Sequence, residues 1–140
     1  MIGSLNIHIL RVLMRKNCVF CKIQKKKLSI INESKFFFVI RDNYPVTKFH
    51  TLFISKRHIT SFFLLTKDEV LNLFNLLNDQ KDKLIKKDRK IKGFNIGIND
   101  GKCAGQTIFH LHVHLIPRRK MDVKNPKGGV RGIIPNKQNY

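Results

Sequence analysis

The segment His110-Leu111-His112-Val113-His114-Leu115 alternates imidazole and aliphatic side chains. Successive side chains of a strand point to opposite faces, so a strand here sends all three histidines one way and Leu111, Val113 and Leu115 the other. The aliphatic face needs an apolar cover, and the chain supplies one. Thr66-Lys67-Asp68-Glu69 fits a capping box, and behind it Val70, Leu73, Phe74, Leu77 and Leu84 keep helical spacing to about Lys87. That stripe reads as core-facing and the helix charges as a solvated face. Phe36 to Arg41 and His50 to Ser55 read as strands paired across the turn Asp42-Asn43-Tyr44-Pro45. Phe94 to Ile98 alternates as a further strand and ends at Asn99-Asp100-Gly101, while the histidine strand runs from His110 to Ile116 and stops at Pro117. The fold class read from this order is α+β, an antiparallel sheet with one long helix.

A length of 140 residues allows one ordinary core and not two. Residues 1–16 read as an N-terminal extension, with Met14 a second candidate start, residues 17–119 as the domain, and residues 120–140 as a basic tail containing Gly and Pro. The tail has no periodicity and reads as solvated. Three cysteines, an odd count, argue against a secreted disulfide framework. No stretch approaches the ~18 apolar residues of a membrane span, so the expected location is the cytoplasm with no membrane partner. A formal charge of +19 invites an anionic partner, although a lysine-rich background accounts for it equally well.

Three imidazoles on one strand face concentrate nucleophilic and acid–base capacity; the competing reading is a metal-binding patch. Just before them, Gly101-Lys102-Cys103-Ala104-Gly105-Gln106-Thr107 is a small-residue loop whose backbone N–H groups could cradle phosphate, with Gln106 and Thr107 adding side-chain donors. Cys18 and Cys21 form a C-x-x-C, which in the absence of a βαβ setting points to zinc more than to redox chemistry; the alternative is a pair of plain thiols. Cys103 reads as a lone loop thiol, and His8 receives no role.

These features together resemble the histidine triad (HIT) family. The resemblance runs from Cys18 to Pro117 through Cys18-Val19-Phe20-Cys21, Thr47-Lys48-Phe49-His50-Thr51-Leu52, Ser55-Lys56-Arg57-His58-Ile59, Asn99-Asp100-Gly101 and Ala104-Gly105-Gln106-Thr107-Ile108-Phe109-His110-Leu111-His112-Val113-His114. It implies a nucleotide-binding homodimer with a joined sheet. His112 would be the nucleophile toward an α-phosphate, forming a covalent nucleotidyl-histidine, with a backbone carbonyl holding its Nδ1–H. His114 and His50 would contact the phosphate, Asn99, Gln106 and Thr107 would complete its cradle, and Asp42 would bind the ribose hydroxyls, although Asp42 also reads as a turn residue. Zinc-bearing members imply a structural Zn²⁺ on Cys18, Cys21, His58 and His110, and no organic cofactor is implied.

The third histidine, His114, favours hydrolysis over nucleotidyl transfer, and the tail carries no cysteine for an added zinc finger. The ending Pro117-Arg118-Arg119 resembles the dinucleoside polyphosphate hydrolases; nucleoside phosphoramidates are the alternative substrate class for the same site. A non-catalytic nucleotide or nucleic-acid binding protein is the competing class, not favoured because the basic residues are scattered and no nucleic-acid module is recognisable.

Overall fold

A computed structural model describes residues 15–140, so His8, Met14 and the extension up to that point lie outside the described residues. Five strands form one antiparallel sheet: β1 (Ile30–Glu33), β2 (Phe37–Arg41), β3 (Thr51–Ser55), β4 (Ile91–Gly97) and β5 (His112–Arg119), in the order β1-β2-β3-β5-β4. Helix α1 (Val19–Lys26) precedes the sheet and α2 (Lys67–Lys87) connects β3 to β4. The architecture is α+β with one long helix. No helix among the described residues is long and apolar enough to cross a membrane.

The two faces of β5 are divided as its alternation requires. Val113 and Leu115 join Phe37, Val39 and Phe53 beneath Leu73, Leu76 and Leu84 of α2. On the opposite face the register sets His114 beside Leu52 and His112 beside Ile54, and Phe20 of α1 covers the adjoining Phe38, Ile40, Leu52 and Ile54. Each buried aliphatic or aromatic side chain contributes about 1.5–3 kcal/mol. With apolar clusters on both faces, the central strands have little room to shift, and the histidine row sits on a fixed base.

Several elements differ from expectation. The sheet-facing stripe of α2 is Leu73, Leu76, Gln80 and Leu84, whereas Val70 and Phe74 are exposed at 40% and 60%. Val70, Leu71 and Phe74 form a second stripe that the sheet does not reach. Strand β5 starts at His112 rather than His110 and continues through Pro117 to Arg119. Pro117 is tolerated because pairing with β3 ends at Leu115, so beyond it β5 has only β4 as a neighbour. Helix α1 and strand β1 were hidden in the sequence by the lysine run and by turn-like residues. The tail is also folded, with a short 3-10 turn at Gly129–Ile133.

The capping box of α2 is present, with Thr66 Oγ1 accepting from the Glu69 N–H and the Glu69 carboxylate accepting from the Thr66 N–H. The same buried carboxylate takes two bonds from Arg57, at 2.7 Å from Nε and 2.9 Å from Nη2. Those bonds from Arg57 hold the Glu69 carboxyl down to about 2, against its burial. Glu69 thus anchors the start of the helix and the segment that carries His58. Replacing it with Ala removes the reciprocal cap and strands Arg57, so urea unfolding should show a loss of about 3 kcal/mol. A loss below about 1 kcal/mol would mean that water substitutes for the carboxylate.

Candidate functional site

The site is built outward from His112, which is nearly buried at the start of β5. Its Nδ1 lies 2.8 Å from the His110 carbonyl oxygen. A carbonyl only accepts, so Nδ1 carries a proton, and in the neutral ring the lone pair is on Nε2. The edge of Phe20, 5.1 Å away between ring centroids, holds the imidazole from the side of α1.

A second chain of bonds fixes the other two rings. The Val46 N–H donates to His50 Nδ1 at 3.1 Å, so the His50 proton resides on Nε2. His50 Nε2–H then donates to His114 Nδ1 at 2.9 Å, which places the His114 proton on Nε2. That nitrogen is buried and has no hydrogen-bond partner among the described residues. The His114 and His112 ring centroids lie 5.2 Å apart. The Nε2 of His112 and the Nε2–H donor of His114 thus belong to neighbouring rings. Burial, reinforced by the neighbouring His112 and His50, lowers the pKa of His114 from 6.5 to about 4, so the ring is neutral near pH 7. Burial also lowers that of His50, partly opposed by Asp42.

Asp42 is a turn residue that also faces the histidines. One carboxylate oxygen accepts from the Tyr44 N–H at 2.8 Å, forming the turn, and the other lies 3.6 Å from His50 Nε2. Asp42, His50 and His114 converge closely enough to suggest a metal. The proton on His50 Nε2 makes the group a proton-ordered chain instead. Phe49, in the left-handed conformation at φ 72°, turns the chain into β3 just before His50.

The phosphate loop departs from expectation. The N–H groups of Ala104, Gly105 and Gln106 donate to the carbonyls of Gly101 and Lys102, so these amides do not form an open cradle. The Gln106 side chain donates to the carbonyls of Thr60 and Ile108 and accepts from the Gly101 N–H. It braces the loop and has no donor left over. Thr107 is exposed and lines a cavity of about 290 Å³ with Cys18 and His58, away from Asn99. Asn99 is exposed beside Gly105. Sequence reasoning missed Asp100, whose carboxylate accepts from Ser61 Oγ and the Phe62 N–H at 2.8 Å each and ties the loop to the segment before α2. Its only sequence signal was its place in a turn.

The second constellation assembles fully. Cys18 caps α1 and Cys21 follows one turn later, so both thiols face the same way. Cys18 Sγ and Cys21 Sγ lie 3.3 and 3.6 Å from His110 Nδ1, Cys21 Sγ lies 3.3 Å from His58 Nδ1, and the two Nδ1 atoms are 3.2 Å apart. A tetrahedral zinc, with bonds of about 2.0–2.3 Å, spaces its ligand atoms ~3.3–3.8 Å apart. His110 Nε2–H donates to the Ser55 carbonyl at 2.7 Å, which leaves Nδ1 with the lone pair that a metal requires. Burial, followed by the Cys18 neighbour, pushes the Cys21 thiol up to about 11, and burial takes His110 down to about 4. A Cys21 thiol that resists ionisation alone, a second thiol beside it and two imidazoles with lowered pKa values form a donor set that suits a dication.

Residues 24–121 match the HIT domain family. An uncharacterised 16.1 kDa HIT-like protein of Mycoplasma pneumoniae is 34% identical over 106 residues, 73% of this chain and 72% of that protein. A bis(5'-adenosyl)-triphosphatase of Dictyostelium discoideum is 33% identical over 102 residues, covering 69% of this chain and 68% of that one. The crystal structure of a Zn-bound histidine triad family protein from Mycobacterium smegmatis superposes with a TM-score of 0.69 at 34% identity, over 77% of this chain and 79% of that chain. The chain belongs to the HIT family.

The tautomer chain has a consequence for stability. The folded protein keeps His114 neutral down to about 4, while the unfolded chain protonates it near 6.5. Between those values the unfolded state binds more protons, so this contribution is complete above 6.5 and is lost as pH falls toward 4. Urea unfolding at stepped pH in the presence of a chelator should show a shallower acid slope for His114→Gln than for wild type. Parallel slopes would contradict the neutral, buried state of this ring.

Proposed function

We propose that this HIT-family chain is a nucleotide hydrolase acting at the α-phosphate of dinucleoside polyphosphates through a covalent nucleotidyl-His112 intermediate. The supporting observation is the pairing of the His112 Nε2 lone pair with the His114 Nε2–H donor. In this reading Nε2 of His112 attacks phosphorus, a P–N bond forms and the bridging P–O bond breaks with its electron pair on the departing nucleoside polyphosphate. The cation that develops on the ring is stabilised through Nδ1–H by the His110 carbonyl. His114 donates to the phosphate oxygen, where charge accumulates, and His50 holds its tautomer. Asp42 takes the ribose hydroxyls and Asn99 reaches the leaving side. Water then replaces His112 at phosphorus, and its proton leaves with the products. Gln106 acts as the loop brace, and Thr107 contributes from the rim. The name of the Dictyostelium relative supports the polyphosphate class. A nucleoside phosphoramidate would use the same residues with an amine leaving.

Cys18, Cys21, His58 and His110 would hold a structural zinc, with no position left open for chemistry. With the metal held by these residues, α1, and with it Phe20, would be fixed against His112. No organic cofactor is needed. We also propose a homodimer with a joined sheet, in keeping with β4 at the sheet edge and with exposed Ile96, Leu71 and Phe74 on the side of α2. A cytoplasmic nucleotide enzyme accords with these features better than a nucleic-acid binder.

Purified protein given diadenosine tetraphosphate should release AMP, and His112→Ala should reduce the rate by at least ~10³-fold. Equal rates in both proteins would eliminate His112 as nucleophile. Metal analysis should find one zinc per chain, lost in Cys21→Ser together with thermal stability; a metal-free wild type of unchanged stability would overturn the zinc assignment.

A further inference from the structure

Phe49 gathers three cations around one ring. Lys48 Nζ and Lys87 Nζ each lie 5.1 Å from its centroid, and the guanidinium carbon of Arg41 lies 5.6 Å from it. The three come from separate elements: the end of β2, the loop before β3 and the last residue of α2. Each gains from the ring's negative face, but together they stand within about a Debye length, ~10 Å, of one another and repel. Among the described residues, none of the three has a carboxylate at ion-pair distance. Arg41 is half-buried, and that burial lowers its pKa with no acid to offset it.

The fold holds these charges together against their repulsion. Arg119 of β5 donates to Asp88 from Nε at 3.0 Å and from Nη2 at 2.9 Å, and Nη2 also donates to the Lys48 carbonyl at 3.2 Å. That clamp ties the end of α2 and the loop before β3 to the same strand, and so brings Lys87 and Lys48 to one place. Asp88 also accepts from the Lys90 N–H at 2.9 Å, so its carboxylate is committed to the clamp and to the end of the helix. Arg41 is aimed by a fully buried hydroxyl: its Nη1 donates to Thr51 Oγ1, which in turn donates to the Phe49 carbonyl. Phe49 packs against the core on the α2 side, whereas the next residue, His50, faces the histidine row. The cluster therefore lies on the reverse face of the sheet from the histidines.

We infer that Arg41, Lys48 and Lys87 form a second anion site, remote from the histidines, and that it takes a linear oligophosphate, either free or as the phosphate tail of a nucleotide. Cations spread around a ring match a chain of phosphates better than one compact anion. The ring itself is engaged by the cations, so recognition falls on charge and not on a base. Arg89, Lys90 and Lys86, all exposed, continue the positive surface beyond the cluster. The inference uses none of the residues of the hydrolase reading and does not depend on it.

The test is calorimetric titration of the full chain, at one fixed salt concentration, with sodium tripolyphosphate, ATP and inorganic phosphate. Tripolyphosphate should bind, and Lys48→Ala and Lys87→Ala, both at exposed positions, should each weaken it about tenfold. Lys83→Ala removes the same charge from the same helix at a lysine already paired with Asp79, and should change the affinity less than twofold. ATP should lose a component of the same size, since any binding at the histidines is indifferent to Lys87. Inorganic phosphate should bind at least about tenfold more weakly than the chain. Several results would overturn the inference: no tripolyphosphate binding, binding indifferent to Lys48 and Lys87, or equal losses in all three variants, which would reduce the cluster to the general field of a +19 chain. Inorganic phosphate bound as tightly would make it a single-anion site, and ATP bound without tripolyphosphate would mean that a nucleoside is read. A short single-stranded RNA bound more tightly through the same lysines would make the face a nucleic-acid surface instead.

Discussion

The site depends on the burial of His110. Its Nε2–H is held by the Ser55 carbonyl, its Nδ1 faces the two cysteines and His58, and its own carbonyl holds the Nδ1–H of His112. One residue therefore joins the cysteine–histidine cluster to His112 with its side chain on one side and its backbone on the other. The Leu111 N–H bonds to the Ile59 carbonyl and the Ser55 N–H to the Leu111 carbonyl, so the segment carrying His58 is laced to the same stretch. Displacement of His110 would disturb both sites at once. A ligand bound at the cluster thus bears on the tautomer of His112 without taking part in its chemistry.

The division of labour around the phosphate site follows from what can still donate. The backbone amides of Gly101, Ala104, Gly105 and Gln106 and both hydrogens of the Gln106 side-chain amide are consumed in keeping the loop closed. The buried donor left over is an imidazole whose proton position is set by two other groups, Val46 and His50. Keeping that ring neutral by burial costs the protein acid stability, but it preserves both a donor and a lone pair in a small space. Charged imidazoles at the same positions would have bound phosphate more tightly and removed the nucleophile.

What was legible in the sequence was whatever is set by local period or local chemistry. The two-residue alternation of Leu111 to Leu115 gave the faces of β5, and the capping box gave the start of α2. Cys18 and Cys21 were recognisable from their C-x-x-C spacing and the histidine row from its alternation, whereas His58 and His110 joined the cysteines only through the family resemblance; the four residues do converge. Roles decided by tertiary partners were not legible. Glu69 read as a cap, but its bond to Arg57 needs two segments brought together. Gln106 read as a free donor because a sequence does not show which carbonyls fold around it. The stripe on α2 failed for a related reason: helical spacing admits neighbouring faces, and only the sheet decides that Leu76 and Gln80 turn inward while Phe74 turns out.

The charge of +19 takes its meaning from the same distinction between count and placement. Within the site burial lowers the pKa of His114 to about 4 and that of His50 below its usual value, and three arginines are already engaged: Arg57 by Glu69, Arg118 by Asp122 and Arg119 by Asp88. Paired arginines position loops and carry little net field. The unpaired lysines lie on the outside, where they raise the local concentration of any polyanion and do so less as salt rises. Under the proposed hydrolase reading, attraction and chemistry fall to different residues, diffuse lysines for the encounter and buried imidazoles for the reaction. On this view a chain with fewer surface lysines would meet its substrate more slowly and process it equally well once bound, because no lysine touches the histidines that carry the lone pair and the proton.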